Sequence, residues 1–198
     1  MAEGLMGREE ALALLWEHVR TDYTRRHSLA TEAVMRALAR RLGQDEDLWG
    51  ITGLVHDLDY EDVGGDPQRH GVHAAELLEG RGCPRELRDA VVAHNGDVLG
   101  IPCRTALDFA LSAGESITGM VFAMALVLPS RSLADVQARS VRKRLREPRF
   151  AANVSRERIS QHQGLGLSEE EFVEIAVEAM KSIAGVLEAP DLPGPASR

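Results

Sequence analysis

The chain has 198 residues, of which 44% are hydrophobic and 27% charged, a composition typical of a soluble globular protein with one large core. Its formal net charge of -8 argues against a general nucleic-acid-binding protein, because neutralising phosphates requires a basic surface. Aromatic residues make up only 4%, and there are no alternating β-branched runs, so we expect an all-α protein.

The two cysteines and the amino-terminal residues indicate the compartment. Neither Cys83 nor Cys103 belongs to a Cys-x-x-Cys pattern, so we interpret both as packing residues rather than catalytic thiols. Free thiols are typical of a reducing compartment, and residues 1–7 do not begin a signal peptide, so we expect a cytoplasmic protein. The longest apolar run, residues 117–128, is shorter than the roughly 20 residues needed to cross a bilayer, so we expect no membrane partner.

Apolar residues at helical spacing predict a bundle of about seven to ten helices. The first five run over residues 9–20, 28–42, 46–58 and 70–81, and from residue 84 to the Asn95-Gly96 pair. A sixth helix, over residues 105–128, is apolar almost all round and is expected to be central. The last helix opens with a capping box at residues 168–171.

We interpret residues 1–188 as a single domain with two parts. Residues 21–128 form the core that would hold a metal site, and residues 130–188 form a helical segment rich in arginine. Residues 189–198 are rich in proline, and we expect them to form a disordered tail.

Side chains that can bind a metal fall on inward faces of different predicted helices. His56 and Asp57 are adjacent at the end of an apolar helix, where both are costly to bury unless they are paired or bind a cation. A single inward histidine is usually a core residue, but several of them with carboxylates favour a metal site built between helices. The other members of this set are His27, His70, His94 and Glu115.

The order of these residues resembles the HD-domain superfamily of metal-dependent phosphohydrolases. His27 comes first, His56-Asp57 second, and an acid follows within the segment AGESITG at residues 113–119. The resemblance is closest to small predicted hydrolases of unassigned substrate, and it covers roughly residues 21–185. It includes the segments SVRKR at 140–144, FAA at 150–152 and RERI at 156–159. The resemblance implies an all-α, single-domain helical bundle of the HD type.

The resemblance also implies a ligand set. His27, His56 and Asp57 match the family's first three ligands, whereas Glu115 stands where the family has an aspartate. Glutamate is one methylene longer and can still bind a hard or borderline cation. Asp108, two helical turns earlier on the same stripe, is the alternative acid.

The same resemblance implies a second metal ion. In two-metal members the aspartate of the pair bridges both ions, and two further histidines hold the second. His70 and His94 match these histidines by order, with His73 as an alternative to His70. The competing interpretation is a one-metal site in which His70 and His94 bind a substrate phosphate. Nitrogen and oxygen ligands can bind Mn, Fe, Ni, Zn or Mg, so each of these ions is a candidate.

The expected function is a divalent-metal-dependent phosphohydrolase that acts on a small phosphorylated or nucleotide-like substrate through a metal-activated water. Asp57 and Asp59 are the catalytic candidates, with Asp59 either orienting the water or simply ending its helix. The candidates for contacting the substrate phosphate, with solvated surface positions as the alternative, are Lys143, Arg144 and Arg156.

Two other classes of protein remain open. One is a non-catalytic ligand-sensing or structural metal protein, which the departure at Glu115 favours. The other is a di-iron oxygenase, which iron content would distinguish. We expect a small phosphorylated partner and no nucleic-acid polymer, and the sequence leaves a homo-oligomer open.

Overall fold

The computed structural model describes residues 4–192 and 194–195, and within them it contains eleven α-helices and no strand. The predicted all-α class is confirmed, and there are more helices than periodicity indicated because three of them have only four or five residues. The helices are α1 (Arg8–His18), α2 (Asp22–Leu42), α3 (Glu46–Val55), α4 (Val72–Gly80), α5 (Arg85–Ala93), α6 (Gly96–Leu99), α7 (Ala106–Val127), α8 (Ala138–Leu145), α9 (Arg156–Ser160), α10 (Glu169–Ser182) and α11 (Ala184–Leu187). Two 3-10 helices, Leu133–Asp135 and Gln161–Leu165, lie between the later helices.

The core forms around α2 and α7. Helix α2 packs against α3, α7 and α10, while α7 also contacts α5 and α9. The apolar side chains between these helices are fully buried, which is the main stabilising contribution to a bundle of this size. Among the largest of them are Leu38, Leu54, Ile117 and Phe172.

Helix α2 begins at Asp22 rather than near residue 28, where its apolar periodicity starts. The side chain of Thr21 caps the helix by accepting a hydrogen bond from the backbone N–H of Thr24, and Arg25 Nε donates to the carbonyl of Val19 at 2.8 Å. Because the first turns are capped through polar groups, hydrophobic spacing did not reveal them. The earlier start places His27 inside the helix.

Helix α7 is the central element, as predicted. By length and composition alone it could cross a membrane, but 67% of its most apolar window is buried inside the protein, as in the core helix of a globular fold. Its start is fixed by a capping box in which Thr105 accepts from the backbone of Asp108 and Asp108 accepts in return from the backbone of Thr105.

Two glycines allow the helices that carry histidines to approach closely. A Cβ on Gly53 in α3 would lie 2.9 Å from the carbonyl oxygen of Thr31 in α2. A Cβ on Gly71, which has a φ of +81°, would lie 2.9 Å from the carbonyl oxygen of Val91 in α5. Both positions therefore require glycine, and each brings together two segments that carry a histidine.

The start of the proline-rich tail contacts the rest of the protein. Arg26 donates from Nη2 to the carbonyl of Ala189 at 2.9 Å, and Leu192 packs against the core. The remainder of the segment expected to be disordered includes residues 193 and 196–198, which lie outside the described residues.

Candidate metal centre

Four histidines form two pairs at one end of the bundle. His27 in α2 and His56 at the end of α3 place their Nε2 atoms 3.2 Å apart. His70, just before α4, and His94 at the end of α5 place their Nε2 atoms 3.0 Å apart. Residues that are distant in sequence thus converge because α2 packs on α3 and α4 packs on α5.

The carboxylate of Asp57 lies between the two pairs. Its Oδ2 is 3.6 Å from Nε2 of His27, and its Oδ1 is 3.4 Å from Nε2 of both His56 and His70. Nε2 of His94 is 3.6 Å from the same Oδ1. Asp57 therefore belongs to two groups of potential metal ligands, one with His27 and His56 and the other with His70 and His94.

The far side of each imidazole ring is fixed by an oxygen. Nδ1 of His56 donates to the carbonyl of Gly53 at 2.8 Å, and Nδ1 of His94 donates to the carbonyl of Val91. Nδ1 of His70 donates to a carboxylate oxygen of Asp59 at 2.9 Å. Carbonyl and carboxylate oxygens only accept, so these three neutral rings carry the proton on Nδ1.

The fourth ring, His27, is held in the same tautomer by a hydroxyl. Its Nδ1 lies 2.9 Å from Oγ1 of Thr118, and that hydroxyl donates its own proton to the carbonyl of Glu115 at 2.7 Å. The hydroxyl oxygen must therefore accept from Nδ1 of His27. All four Nε2 lone pairs consequently face the centre.

This arrangement fits divalent cations. While the rings are neutral, the two Nε2 atoms of a pair, 3.0 to 3.2 Å apart, cannot hydrogen-bond to each other, because neither nitrogen carries a proton. A cation between these nitrogens and the carboxylate would bind the lone pairs of all of them. Histidines that bind a metal are usually oriented by a hydrogen bond from their other ring nitrogen, and here Nδ1 makes that hydrogen bond. The donor set of nitrogen and carboxylate oxygen suits Zn, Fe, Mn or Ni.

Burial and charge set the protonation of the cluster. Burial lowers the pKa of His56 to about 3, against the attraction of Asp57, so this ring stays neutral. Burial alone would raise the pKa of Asp57, but the surrounding imidazoles, His56 first, hold it well below its usual range. Burial also opposes the charged form of His94, but contact with Asp57 outweighs it and raises the pKa of His94. The carboxylate is thus an anion that attracts positive charge.

Asp59 does not face the cavity, contrary to the expectation that it orients a water. Its side chain is fully buried, and its Oδ2 accepts from the backbone N–H groups of Gly71 and Ala74 at 2.7 and 2.9 Å. Its other oxygen holds His70. Asp59 is therefore a positioning residue that caps α4 and orients a histidine of the second pair.

The expected acidic ligand, Glu115, lies next to the first pair. Its Oε2 is 3.8 Å from Nε2 of His27, and its Oε1 accepts from Oγ of Ser116 at 2.6 Å. The alternative acid, Asp108, is occupied by the backbone at the start of α7, with its Oδ2 accepting from Arg104 and Thr105. Of the two acids, only Glu115 lines the cavity.

The alternative histidine, His73, also lies away from the cluster. Its Nδ1 is 3.4 Å from an exposed carboxylate oxygen of Glu76, one turn further along α4. His70 is therefore the histidine that α4 and its preceding turn bring to Asp57.

The cluster forms one wall of a cavity of about 550 Å³. The opposite wall comes from the segment before α9 and from α9 itself. Besides the metal-ligand candidates, the lining includes Tyr23, Tyr60, Asp97, Asn153, Ser155 and Arg158.

None of the three basic residues expected to contact a phosphate lines this cavity. Lys143 is exposed on α8, and Arg144 pairs with Glu147 and covers the ring of Phe150. Arg156 turns inward and donates to backbone carbonyls, among them those of Ala151 and Val154 at 2.6 and 2.8 Å. These contacts hold the loop that leads into α9, so Arg156 supports one wall of the cavity.

The basic residue that does line the cavity is Arg158. Its guanidinium forms an ion pair with Asp97, and it reaches Glu115 Oε1 at 3.5 Å and Asn95 Oδ1 at 3.4 Å. Burial opposes the charged form of Asp97, but the hydrogen bond from Arg158 lowers the pKa of this carboxyl. Arg156 and Arg158 are two positions apart on one helix and point in different directions, so spacing could not tell which of them faces the site.

Part of this chain is similar in sequence to a known protein. A deoxyguanosinetriphosphate triphosphohydrolase-like protein of Bradyrhizobium sp. (strain ORS 278) is 32% identical to this chain over 138 aligned residues, covering 55% of this chain and 35% of that protein. The chain thus spans about a third of that relative's length. No solved structure matches the chain significantly.

The family assignment comes from a match to the HD domain over residues 24–126. That span is about half of the chain, and it contains all four histidines, Asp57 and Glu115. The resemblance noted in the sequence is confirmed, and the chain belongs to the HD-domain family.

Proposed function

We propose that the protein is a divalent-metal-dependent phosphohydrolase that acts on a small phosphorylated substrate. The observation that carries this proposal is the position of Asp57, one carboxylate between two pairs of imidazole Nε2 atoms. Membership of the HD-domain family and similarity to a triphosphohydrolase-like protein support the same reaction class.

The ligand set that we propose is symmetrical about Asp57. His27 and His56 would hold one ion, with Glu115 available to complete its coordination, and His70 and His94 would hold the second. Divalent ions in such a site supply an acidified water near neutral pH and positive charge for phosphoryl oxygens. Asp57 is the catalytic carboxylate of this proposal because it contacts both positions.

The protein itself contributes orientation and charge. Asp59 and Thr118 fix the rings of His70 and His27 from behind, so the ligand geometry is set before substrate binds. We assign the phosphate contact to Arg158 in place of Lys143, Arg144 and Arg156. A guanidinium is suited to this role because its fork matches phosphoryl oxygens in two hydrogen bonds.

The proposal is tested by removing metal from the purified protein and reloading it separately with Mn, Fe, Ni, Zn and Mg. Release of inorganic phosphate, pyrophosphate or triphosphate is then measured with a panel of phosphomonoesters and nucleotides. We expect release that depends on metal and is lost in His56→Ala, while His18→Ala, a histidine outside the cavity, retains it. Absence of phosphate release with every metal and substrate would contradict the proposal, and a visible iron absorption band with oxygen consumption would favour an oxygenase.

A further inference from the structure

The cavity beside the metal centre is poor in positive side chains. Among the described residues that line it, Arg158 is the one lysine or arginine, whereas three carboxylates, Asp57, Asp97 and Glu115, face the same space. Two divalent cations together with Arg158 would leave the cavity with a net charge of about +2. This charge limits how many phosphoryl groups the cavity can neutralise.

Acidic side chains hold the guanidinium of Arg158 at the edge of the cavity. Asp97 holds two of its nitrogens, and Glu115 lies near the third on the side of the metal centre. The side chain is 22% exposed and lines the cavity. A guanidinium held in this manner can contact one phosphoryl group next to the metal centre. In residues 4–192 and 194–195 the cavity lining has no further arginine or lysine along which a polyphosphate chain could extend.

Two aromatic side chains line the same cavity. The chain has only two tyrosines, Tyr23 and Tyr60, and both belong to this lining. Their exposed fractions are 75% and 55%, and the ring of Tyr60 meets the edge of His70 at a centroid distance of 5.6 Å. Exposed tyrosines in a polar pocket offer flat, amphipathic surfaces on which a ring can pack.

We propose that the cavity binds a phosphomonoester with a ring-bearing organic group. The single phosphoryl group contacts Arg158, and the ring packs against Tyr23 and Tyr60. A phosphomonoester carries about -1.5 to -2 at neutral pH, which matches the charge of the cavity with two ions bound. A triphosphate adds the charge of two more phosphoryl groups, and the described part of the lining has no cationic side chain besides Arg158 to neutralise it. The inference rests on the proposed function and narrows its substrate class.

Binding can be measured without turnover by using ligands that resist hydrolysis. The metal-loaded protein is titrated calorimetrically with methylphosphonate, phenylphosphonate and a nucleoside imidotriphosphate, and elemental analysis after each titration checks that the metal is retained. We expect phenylphosphonate to bind about 3- to 10-fold more tightly than methylphosphonate, because only the former has a ring. The imidotriphosphate should bind no more tightly than phenylphosphonate.

Substitutions test which residues contact the phosphoryl group and which contact the ring. Arg158→Gln should weaken both phosphonates about 10- to 100-fold, and Arg158→Lys should weaken them less, because it keeps the charge. Arg139→Gln removes the same charge from an exposed position outside the cavity and is the matched control. Tyr23→Ala and Tyr60→Ala should remove the preference for phenylphosphonate without changing affinity for methylphosphonate.

The charge of the cavity can be changed separately. Asp97→Asn removes one negative charge from the cavity and should raise affinity for the imidotriphosphate relative to phenylphosphonate. An imidotriphosphate that binds the wild-type protein at least 10-fold more tightly than phenylphosphonate would overturn the inference while leaving a phosphohydrolase in place. Equal affinity for the two phosphonates would overturn the role of the tyrosines. Failure of all three ligands to bind the metal-loaded protein would contradict the proposed function as well.

Discussion

Asp59 holds His70 from behind, with Oδ1 of the aspartate 2.9 Å from Nδ1 of the histidine. The aspartate is fully buried and its other oxygen accepts two backbone N–H groups at the start of α4. One carboxylate thus fixes both the tautomer of a proposed ligand and the helix that follows it. The second pair of histidines therefore depends on a residue that does not reach the cavity.

Asp59→Asn should weaken the second metal position selectively. The amide has the size of the carboxylate but lacks its charge, so it orients His70 less firmly and lowers the basicity of the ring. We expect metal affinity at His70 and His94 to fall about 10- to 100-fold, with less than about a 3-fold change at His27 and His56. Competition with a chelator of known affinity measures both positions. Asp62→Asn, at a surface pair with His18, is the control, and an equal effect of both substitutions would contradict the role of Asp59.

Gly71→Ala should disrupt the approach of His70 to α5. The residue has a φ of +81°, and its Cβ would lie 2.9 Å from the carbonyl oxygen of Val91. The strained backbone alone costs about 1 to 2 kcal/mol in free energy of unfolding, and the contact with Val91 adds to it.

Gly65→Ala provides a matched control for that substitution. Gly65 has a similar φ of +83°, but nothing lies within 4 Å of its Cβ position. Denaturant unfolding of both variants separates the two contributions, since only Gly71→Ala includes the contact with α5. Equal losses of stability in the two variants would show that the contact between residue 71 and α5 does not affect stability. Unchanged metal binding in Gly71→Ala would show that this contact does not position the metal ligands.

The buried, neutral state of His56 predicts a pH dependence of stability. In the folded protein the pKa of His56 is lowered from 6.5 to about 3. At a pH between these two values the unfolded chain binds a proton at this histidine and the folded chain does not. Stability from this residue is present above about pH 6.5 and is lost as the pH falls. In EDTA, the free energy of unfolding of the wild-type protein should fall relative to that of His56→Gln by about 2 kcal/mol between pH 7 and pH 5. A difference that is constant with pH would contradict the assignment.

Much of this site could be predicted from the sequence because it depends on helical register. His56 and His94 lie on faces that also carry buried apolar residues, so the 3.6-residue period directs them toward the core. His27 lies on the same face as the apolar residues of α2 once that helix is extended back by one turn. The pairing of His27 with His56 and of His70 with His94 follows from the packing of α2 on α3 and of α4 on α5. The central position of α7 was likewise visible from its uniform hydrophobicity.

The roles that periodicity did not reveal are those decided by local backbone geometry. Asp59 follows the end of α3 in a series of turns, where helical spacing no longer fixes direction, and it turns back to cap α4. Arg156 and Arg158 lie on a five-residue helix, too short for a periodic signal to distinguish a residue that binds carbonyls from one that faces a cavity.

The central claim is that one carboxylate, Asp57, joins two metal positions, and metal stoichiometry tests it most directly. Elemental analysis of the reloaded, gel-filtered protein should give two divalent ions per chain for the wild type. His56→Ala should retain one ion, and Asp57→Ala should bind less than one because both positions lose a ligand. Two ions per chain in Asp57→Ala, or fewer than two in the reloaded wild type, would contradict the claim.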